Sequence, residues 1–360
     1  MKRRVSWSQG GVARLSEAGL TDPGLLLETA TPAAALPGSW ECLSKPGLGG
    51  RERWRWSPPG SEAVVYYVKR YRRTPLREQL DRALRQTPRH SRAWWEFRQS
   101  EELARQFVPA VRALAVAEEM SGPFERRSAV VFEGLAGDAF DRVWLRLVAT
   151  DAPVTRGLAR HDLIHRLARF VSAFHQTGYC HRDLYLCHVF SDLDPDGGRP
   201  PRFTLIDLAR THRPRLRRTR WLIKDLAQLD SSARQLGASR GDRLRFLKTY
   251  LSLEAHSPRL RWYARKIVRK SDTVLRRVAR QAARGGGSRY GGRTAGPRPG
   301  QAAPRAAARV TSGRASRHRP GARRSEPRRR GNLHAGDGVP ACAARVRRDR
   351  AVPRTDRISA

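Results

Sequence analysis

Apolar residues in the first 282 positions follow two different periods. Runs rich in β-branched and aromatic residues, of strand length, occur at 62–71 (EAVVYYVKRY), 128–135 (SAVVFEGL) and 202–209 (RFTLIDLA), and each predicts a strand. Between them the apolar positions step by three and four. In RHDLIHRLARFVSAFHQTGY, residues Leu163, Leu167, Val171 and Phe174 fall on one helical face, so a helix is predicted that ends just before Gly178. Trp94, Phe97 and Leu103 alternate with charge and predict a second helix over 90–106, and RWLIKDLAQLDSSARQLG predicts a third over 220–237. No internal repeat is present. The pattern is that of a mixed fold of strands and helices.

Composition narrows the function classes. A chain of 360 residues has room for one large or two modest domains with a real core. Four cysteines (Cys42, Cys180, Cys187, Cys342) are too few and too scattered for a disulfide framework, so a reducing cytoplasm is expected. The start, MKRRVSWSQG, is positive but no apolar stretch follows it, and export by a signal peptide is not expected. No run of about 18 apolar residues predicts a transmembrane helix.

The net charge of +39 is unevenly placed. Residues 283–360 hold twenty Arg, no Lys and four acids, a net of +16, in a background of Gly, Ala, Pro and Ser. With almost nothing to bury, this tail is expected to be disordered. It can bind polyanions, and an unconstrained GC-rich reading frame would also encode it, so it does not decide function. Two Arg-rich segments of the core, 70–92 and 261–281, read as helical with little apolar face. They suit an anionic membrane surface, at about 1 kcal/mol per nearby basic residue, or are ordinary solvated faces.

The densest chemistry lies in GYCHRDLYLCHVF, 178–190. Asp183 sits in a loop after a helix, and 24 residues later Asp207 ends a strand run. Phosphoryl transfer needs two such acids, one near the acceptor hydroxyl and one on the metal that bridges the nucleotide phosphates. It also needs a strand lysine, and Lys69 supplies one in a chain where Lys is rare. Upstream, KPGLGGRERWRW places Gly47, Gly49 and Gly50 in a turn suited to covering phosphates with backbone N–H groups. Two metal readings fit less well. Cys180, His181, Cys187 and His188 match no common zinc spacing. DLDPDG at 192–197 begins like a calcium loop, but its twelfth position is Phe203 where a bidentate Glu is needed.

Together, HRDLYLCH, FTLIDLAR, YYVKRYRR and KDLAQL resemble the bacterial lipopolysaccharide kinases, the Kdo and heptose kinases, over about residues 40–275. The resemblance implies an α+β, two-lobed protein-kinase-like fold: an extension at 1–38, a small β-rich lobe at 39–135, a mainly helical lobe at 136–282, and the tail. It implies ATP and Mg²⁺ as cofactors. Lys69 would contact the α and β phosphates, with Glu96 as its ion-pair partner and the three glycines over the nucleotide. Asp183 would be the catalytic acid and Asp207 the metal ligand. His181 and Asp225 would support the catalytic loop.

Departures from a protein kinase are visible. Tyr185 stands where Lys is usual two residues after the catalytic Asp, and His188 stands at the metal-binding Asn position. Only 18 residues separate Asp207 from Asp225, leaving little room for a peptide-docking segment. A sugar hydroxyl of a lipid-anchored anionic glycan is therefore the expected acceptor, with a monomeric enzyme at the inner face of the cytoplasmic membrane and no nucleic-acid partner. A protein kinase of the same fold, and an inactive kinase-like binding module, are the alternatives.

Overall fold

The computed structural model describes residues 2–43, 50–60, 63–72, 74–149, 153–193 and 200–283. The tail at 284–360, with Cys342, lies outside the described residues, as do Gly47, Gly49 and the centre of the calcium-like loop.

Six strands form one antiparallel sheet, in the order β1-β5-β6-β4-β3-β2. They are β1 (Lys2–Trp7), β2 (Ser39–Cys42), β3 (Arg51–Ser57), β4 (Tyr66–Arg72), β5 (Ala113–Ser121) and β6 (Phe124–Glu133). Both faces of the central strands are covered, which is why β5 and β6 read as continuous apolar runs and not as alternating ones. Helices α1 (Gly11–Glu17) and α2 (Leu25–Glu28) bury Leu15, Leu26 and Leu27 with Trp56, Val68 and Val131 on one face. The N-terminal segment is thus packed into the small lobe: β1 pairs with β5 along its length. Gly11 permits that approach, since a Cβ there would stand 2.2 Å from the Leu114 carbonyl oxygen.

The other face carries α4 (Arg92–Arg105). Its first turn is capped by Ser91, whose hydroxyl accepts from the Trp94 N–H at 3.1 Å. Alternation along β4 sends Tyr66 and Val68 toward α1 and α2, and Lys69 and Tyr71 toward α4. Helix α3 (Leu76–Arg85) precedes α4. It was expected to carry little apolar face, and Leu76, Leu80 and Leu84 share one face that points to solvent.

The second lobe holds a small antiparallel sheet of β7 (Asp138–Ala139), β8 (Val189–Asp192) and β9 (Arg202–Leu205), with helices α5 (Phe140–Ala149), α6 (Pro153–Gln176), α7 (Arg218–Gln235), α8 (Arg240–Leu251) and α9 (Pro258–Ala283). Leu163, Leu167, Val171 and Phe174 of α6 are all buried, as their spacing predicts. One core runs from Tyr71 and Phe97 of the small lobe through Phe174 and Leu205 to Tyr250 and Ile267. The strand expected over 202–209 stops at Leu205. Asp207 adopts φ 59 and ψ 60, and this left-handed residue turns the chain into a single 3₁₀ turn at Leu208–Arg210.

Candidate active site

Lys69 projects from β4 into the cleft between the lobes. Its Nζ donates to Glu96 Oε2 of α4 at 2.6 Å and to Asp207 Oδ1 at 2.9 Å. It also lies 5.3 Å from the Phe132 ring centroid. Glu96 is fully buried, and its second oxygen accepts from the Tyr71 hydroxyl. A buried carboxylate is tolerated when paired and hydrogen-bonded, and here both oxygens are engaged. Burial and the adjacent Glu96 together push the Tyr71 phenol well above its ordinary pKa, so it remains a donor.

Asp207 gathers several cations. Burial by itself would raise its pKa, but Lys69, His188, Arg53 and Arg51 hold the carboxyl well below its ordinary value. Arg53 Nη2 reaches Asp207 Oδ2 at 3.3 Å, so Lys69 and Arg53 address different oxygens of one carboxylate. Both come from one face of the sheet, because Arg53 on β3 is directly opposite Lys69 on β4. His188 Nε2 is 3.8 Å from Asp207 Oδ2, and its Nδ1 is 2.7 Å from the Asp183 carbonyl oxygen. Burial opposes charge on this ring, but hydrogen bonding to Cys187, the Asp207 carboxylate and the Asp183 carbonyl raises its pKa to about 9.

The loop that carries Asp183 is braced from below. Asp225, fully buried on α7, accepts the backbone N–H groups of His181 and Arg182, each at 2.7 Å. His175 Nε2 lies 3.3 Å from the same carboxylate, and Tyr250 hydroxyl lies 2.9 Å from His175 Nδ1. The brace holds Arg182 at φ 68, a costly conformation for a residue with a side chain. His181 is buried with Nε2 2.9 Å from the Ile206 carbonyl oxygen, linking the loop to the chain just before Asp207. Burial, with a smaller effect from His188, lowers its pKa, so the ring is neutral.

The Asp183 carboxylate faces the cleft. Arg210 Nη1 donates to its two oxygens at 3.1 and 3.2 Å, and Gln228 Nε2 to Oδ1 at 3.3 Å. Gln228 also reaches the Tyr185 hydroxyl at 3.2 Å, so Tyr185 packs the loop onto α7. Lys224 donates to the Arg182 carbonyl. Burial lowers its pKa to about 8, against the opposing pull of Asp183.

The structure therefore links Lys69, Glu96, Asp207, His188, Asp183, His181 and Asp225 in one connected network, with Glu96, His181 and Asp225 buried beneath it. Gly50 is described, at the start of β3, with φ 46. Sequence reasoning did not single out Tyr71, Arg53, Arg210, Gln228, Lys224 or His175. All but His175 lie within the quoted motif stretches, but no spacing rule marks them, because their roles arise from cross-strand and interhelix contacts.

Among the described residues no three His, Cys, Asp or Glu side chains converge as a metal cage. Burial and Asp225 push the pKa of the Cys180 thiol up to about 12. Mg²⁺ takes one or two protein carboxylates and completes its shell with water and substrate phosphates.

The chain is similar to known proteins over this region. The profile of the lipopolysaccharide kinase (Kdo/WaaP) family matches residues 52–250. Lipopolysaccharide core heptose(I) kinase WaaP of Pseudomonas aeruginosa is 36% identical over 148 residues, 40% of this chain and 53% of that protein. Its Escherichia coli namesake is 30% identical over 191 residues, 52% of this chain and 70% of the relative. A solved structure described as WaaP in complex with acyl carrier protein aligns with a TM-score of 0.50 at 26% identity, covering 78% of this chain and 98% of that one. More than half of the chain falls within the matched profile, and the chain belongs to the lipopolysaccharide kinase (Kdo/WaaP) family.

Proposed function

We propose that this chain transfers the γ-phosphoryl group of ATP to a sugar hydroxyl of a lipopolysaccharide core or a related lipid-anchored glycan. The observation that carries the reading is the contact of Lys69 with both Glu96 and Asp207, at 2.6 and 2.9 Å, beside a loop braced by Asp225. Lys69, aligned by Glu96, steadies the α and β phosphates, and Gly50 lies at the start of the strand that roofs the cleft. Asp207 would hold Mg²⁺, His188 Nε2 could be a second donor only after losing the proton that its raised pKa keeps on the ring, and bound Mg²⁺ would neutralise charge on the phosphates. The acceptor hydroxyl attacks the γ-phosphorus, the bond to the β-phosphate oxygen breaks, and ADP leaves. Asp183 orients that hydroxyl and takes its proton late, so catalysis is positioning plus electrostatics.

Arg210 and Lys224 place positive charge beside Asp183, which favours an anionic acceptor over a neutral one. The short chain between Asp207 and α7 favours a sugar over a peptide. Among the described residues no helix is long and apolar enough to cross a membrane, and we place the protein peripherally at the inner face of the cytoplasmic membrane, as a monomer.

An apolar groove of about 790 Å³ between α6, α7, α8 and α9, with Ile164, Leu229 and Ile267 inside and Arg234, Arg243 and Arg265 among its lining, suits an acyl chain presented by a carrier protein. That is the kind of partner named for the WaaP structure above. Acyl species co-purifying with the full chain, read by mass spectrometry, would test it.

The decisive experiment for the activity is Asp183→Asn, assayed for Mg²⁺-dependent ATP turnover with and without a bacterial glycolipid extract. Wild-type turnover that rises with the extract and disappears in the variant, with ATP binding kept, supports the reading. Retained turnover in the variant refutes it. Transfer to polypeptide alone would move the assignment to a protein kinase.

A further inference from the structure

Helix α3 is seated by polar contacts and exposes its leucines. Leu76, Leu80 and Leu84 are 71%, 62% and 84% exposed, while Gln79 and Arg82 on the same helix are buried. Steps of four put the leucines on one face. On the inward face Gln79 Nε2 donates to the Glu125 carbonyl and Arg82 Nη1 to the Thr87 carbonyl, both at 2.6 Å. The core therefore gives no reason for leucine at 76, 80 and 84. A fourth leucine, Leu216, is 80% exposed in the segment between Asp207 and α7.

A polar crevice of about 760 Å³ links the two places. Arg85 of α3, Arg98 of α4 and Arg213 and Arg215 line it, against one acid, Glu102. Leu84 and Leu216 each adjoin a lining residue in the chain. Gln86, at the end of α3, donates to the Ala209 carbonyl at 2.7 Å, tying this surface to the turn that follows Asp207. Singly scattered exposed leucines need no explanation, but an aligned set bordering an arginine-lined crevice beside the active-site turn does.

We propose that α3 and the 213–216 segment form a membrane-docking face. The leucines enter the interfacial layer of an anionic leaflet, and the crevice arginines hold a phospholipid phosphate. Charge selects this occupant: four arginines line the crevice against Glu102 and the Asp81 that pairs with Arg85 at 2.9 Å, on a chain of net charge +39. The purpose of such a face rests on the lipid-anchored acceptor proposed above, since docking by α3 would present the cleft to that acceptor.

The test is vesicle co-sedimentation of the full chain, with phosphatidylcholine alone and with equal parts phosphatidylglycerol. It is run at low salt and again at about 1 M salt, where the Debye length is about 3 Å and the tail's electrostatic attraction is screened. These vesicles contain no acceptor, so the result is independent of turnover and of the kinase reading. Wild type should keep measurable binding to mixed vesicles at high salt. The triple variant L76S/L80S/L84S should lose at least about a hundredfold in partitioning there, at roughly tenfold per buried leucine. R213Q/R215Q should lose the preference for phosphatidylglycerol at low salt. Hydrogen exchange over 76–85 should slow on vesicles in the wild type. The proposal fails if the triple variant partitions like the wild type. It also fails if that variant melts well below the wild type, which would make the leucines structural. Wild-type self-association without lipid, abolished by the triple variant, would instead mark a protein interface and equally overturn it.

Discussion

Removing the carboxylate of Asp225 tests whether the catalytic loop is held by its brace. Two backbone N–H groups, of His181 and Arg182, end on this buried carboxylate at 2.7 Å. A hydrogen bond to a charged group contributes about 1.5–3 kcal/mol, so Asp225→Ala should cost about 3–6 kcal/mol. Asp225→Asn keeps one carbonyl oxygen and should cost about half as much. At roughly 2 °C per kcal/mol for a domain of this size, the alanine variant should melt about 6–12 °C below the wild type by calorimetry. The brace also holds Arg182 at φ 68, a conformation that costs about 1–2 kcal/mol. Releasing it should let the loop relax, so turnover should fall further than loss of folded protein explains. Adding Arg182→Gly to the alanine variant should recover part of the lost melting temperature but none of the turnover. If both Asp225 variants melt within about 1 °C of the wild type and keep full turnover, the brace argument is wrong.

Lys69→Met should leave Glu96 buried with only the Tyr71 hydroxyl, costing about 3–5 kcal/mol in chemical denaturation. The double variant Lys69→Met with Glu96→Leu should regain much of that stability while still failing to bind ATP, which separates fold from function. The Asp242 side chain accepts from the Ser239 N–H at 2.8 Å in a capping box and pairs with Arg160. Burial opposes its charge, yet these partners lower its pKa below the ordinary 3.8. A depressed carboxyl contributes stability above its unfolded pKa and loses it as pH falls through the folded one. The stability gap between wild type and Asp242→Asn should therefore be full at neutral pH and close below about pH 4; a gap independent of pH would contradict this. Cys42 is exposed, whereas Cys180 is buried with its pKa near 12, so peptide mapping after iodoacetamide should find Cys42 modified first and Cys180 only after unfolding.

The parts of this site that could be read in the sequence share one property: they are local. Asp183 follows a helix with a clear four-four-three stripe, and the apolar run of β4 delivers Lys69, so pattern and chemistry coincide. Glu96 could be singled out only through the family resemblance, because Glu101 and Glu102 lie on the same helix; burial against Tyr71 distinguishes it. The end of the strand before Asp207 was misplaced because its apolar run continues to Ala209, whereas the left-handed turn at Asp207 is set by the cleft. The stripe on α3 was hidden by its arginines. Its pattern is that of an ordinary amphipathic helix, and only tertiary placement shows which face is turned outward. The N-terminal segment reads as an extension because nothing local records that β1 pairs with a strand more than 100 residues away.

The same distinction explains the departures from a protein kinase. Tyr185 replaces the lysine expected beside the catalytic acid, which would leave the acceptor end of the cleft short of positive charge. The charge comes instead from outside the loop: Arg210, three residues after Asp207, grips Asp183, and Lys224, one residue before Asp225, reaches the Arg182 carbonyl. At the nucleotide end, an imidazole stands where an amide oxygen is usual, and Arg53 from the roof of the cleft reaches the oxygen of Asp207 that Lys69 leaves open. In both places the replacement arrives on a neighbouring element, so the motif looks incomplete in one dimension while each carboxylate still has cationic partners in space. Because long-range electrostatics depends on where charges lie and not on which strand carries them, such a relocation keeps cations beside both carboxylates while erasing their sequence signature.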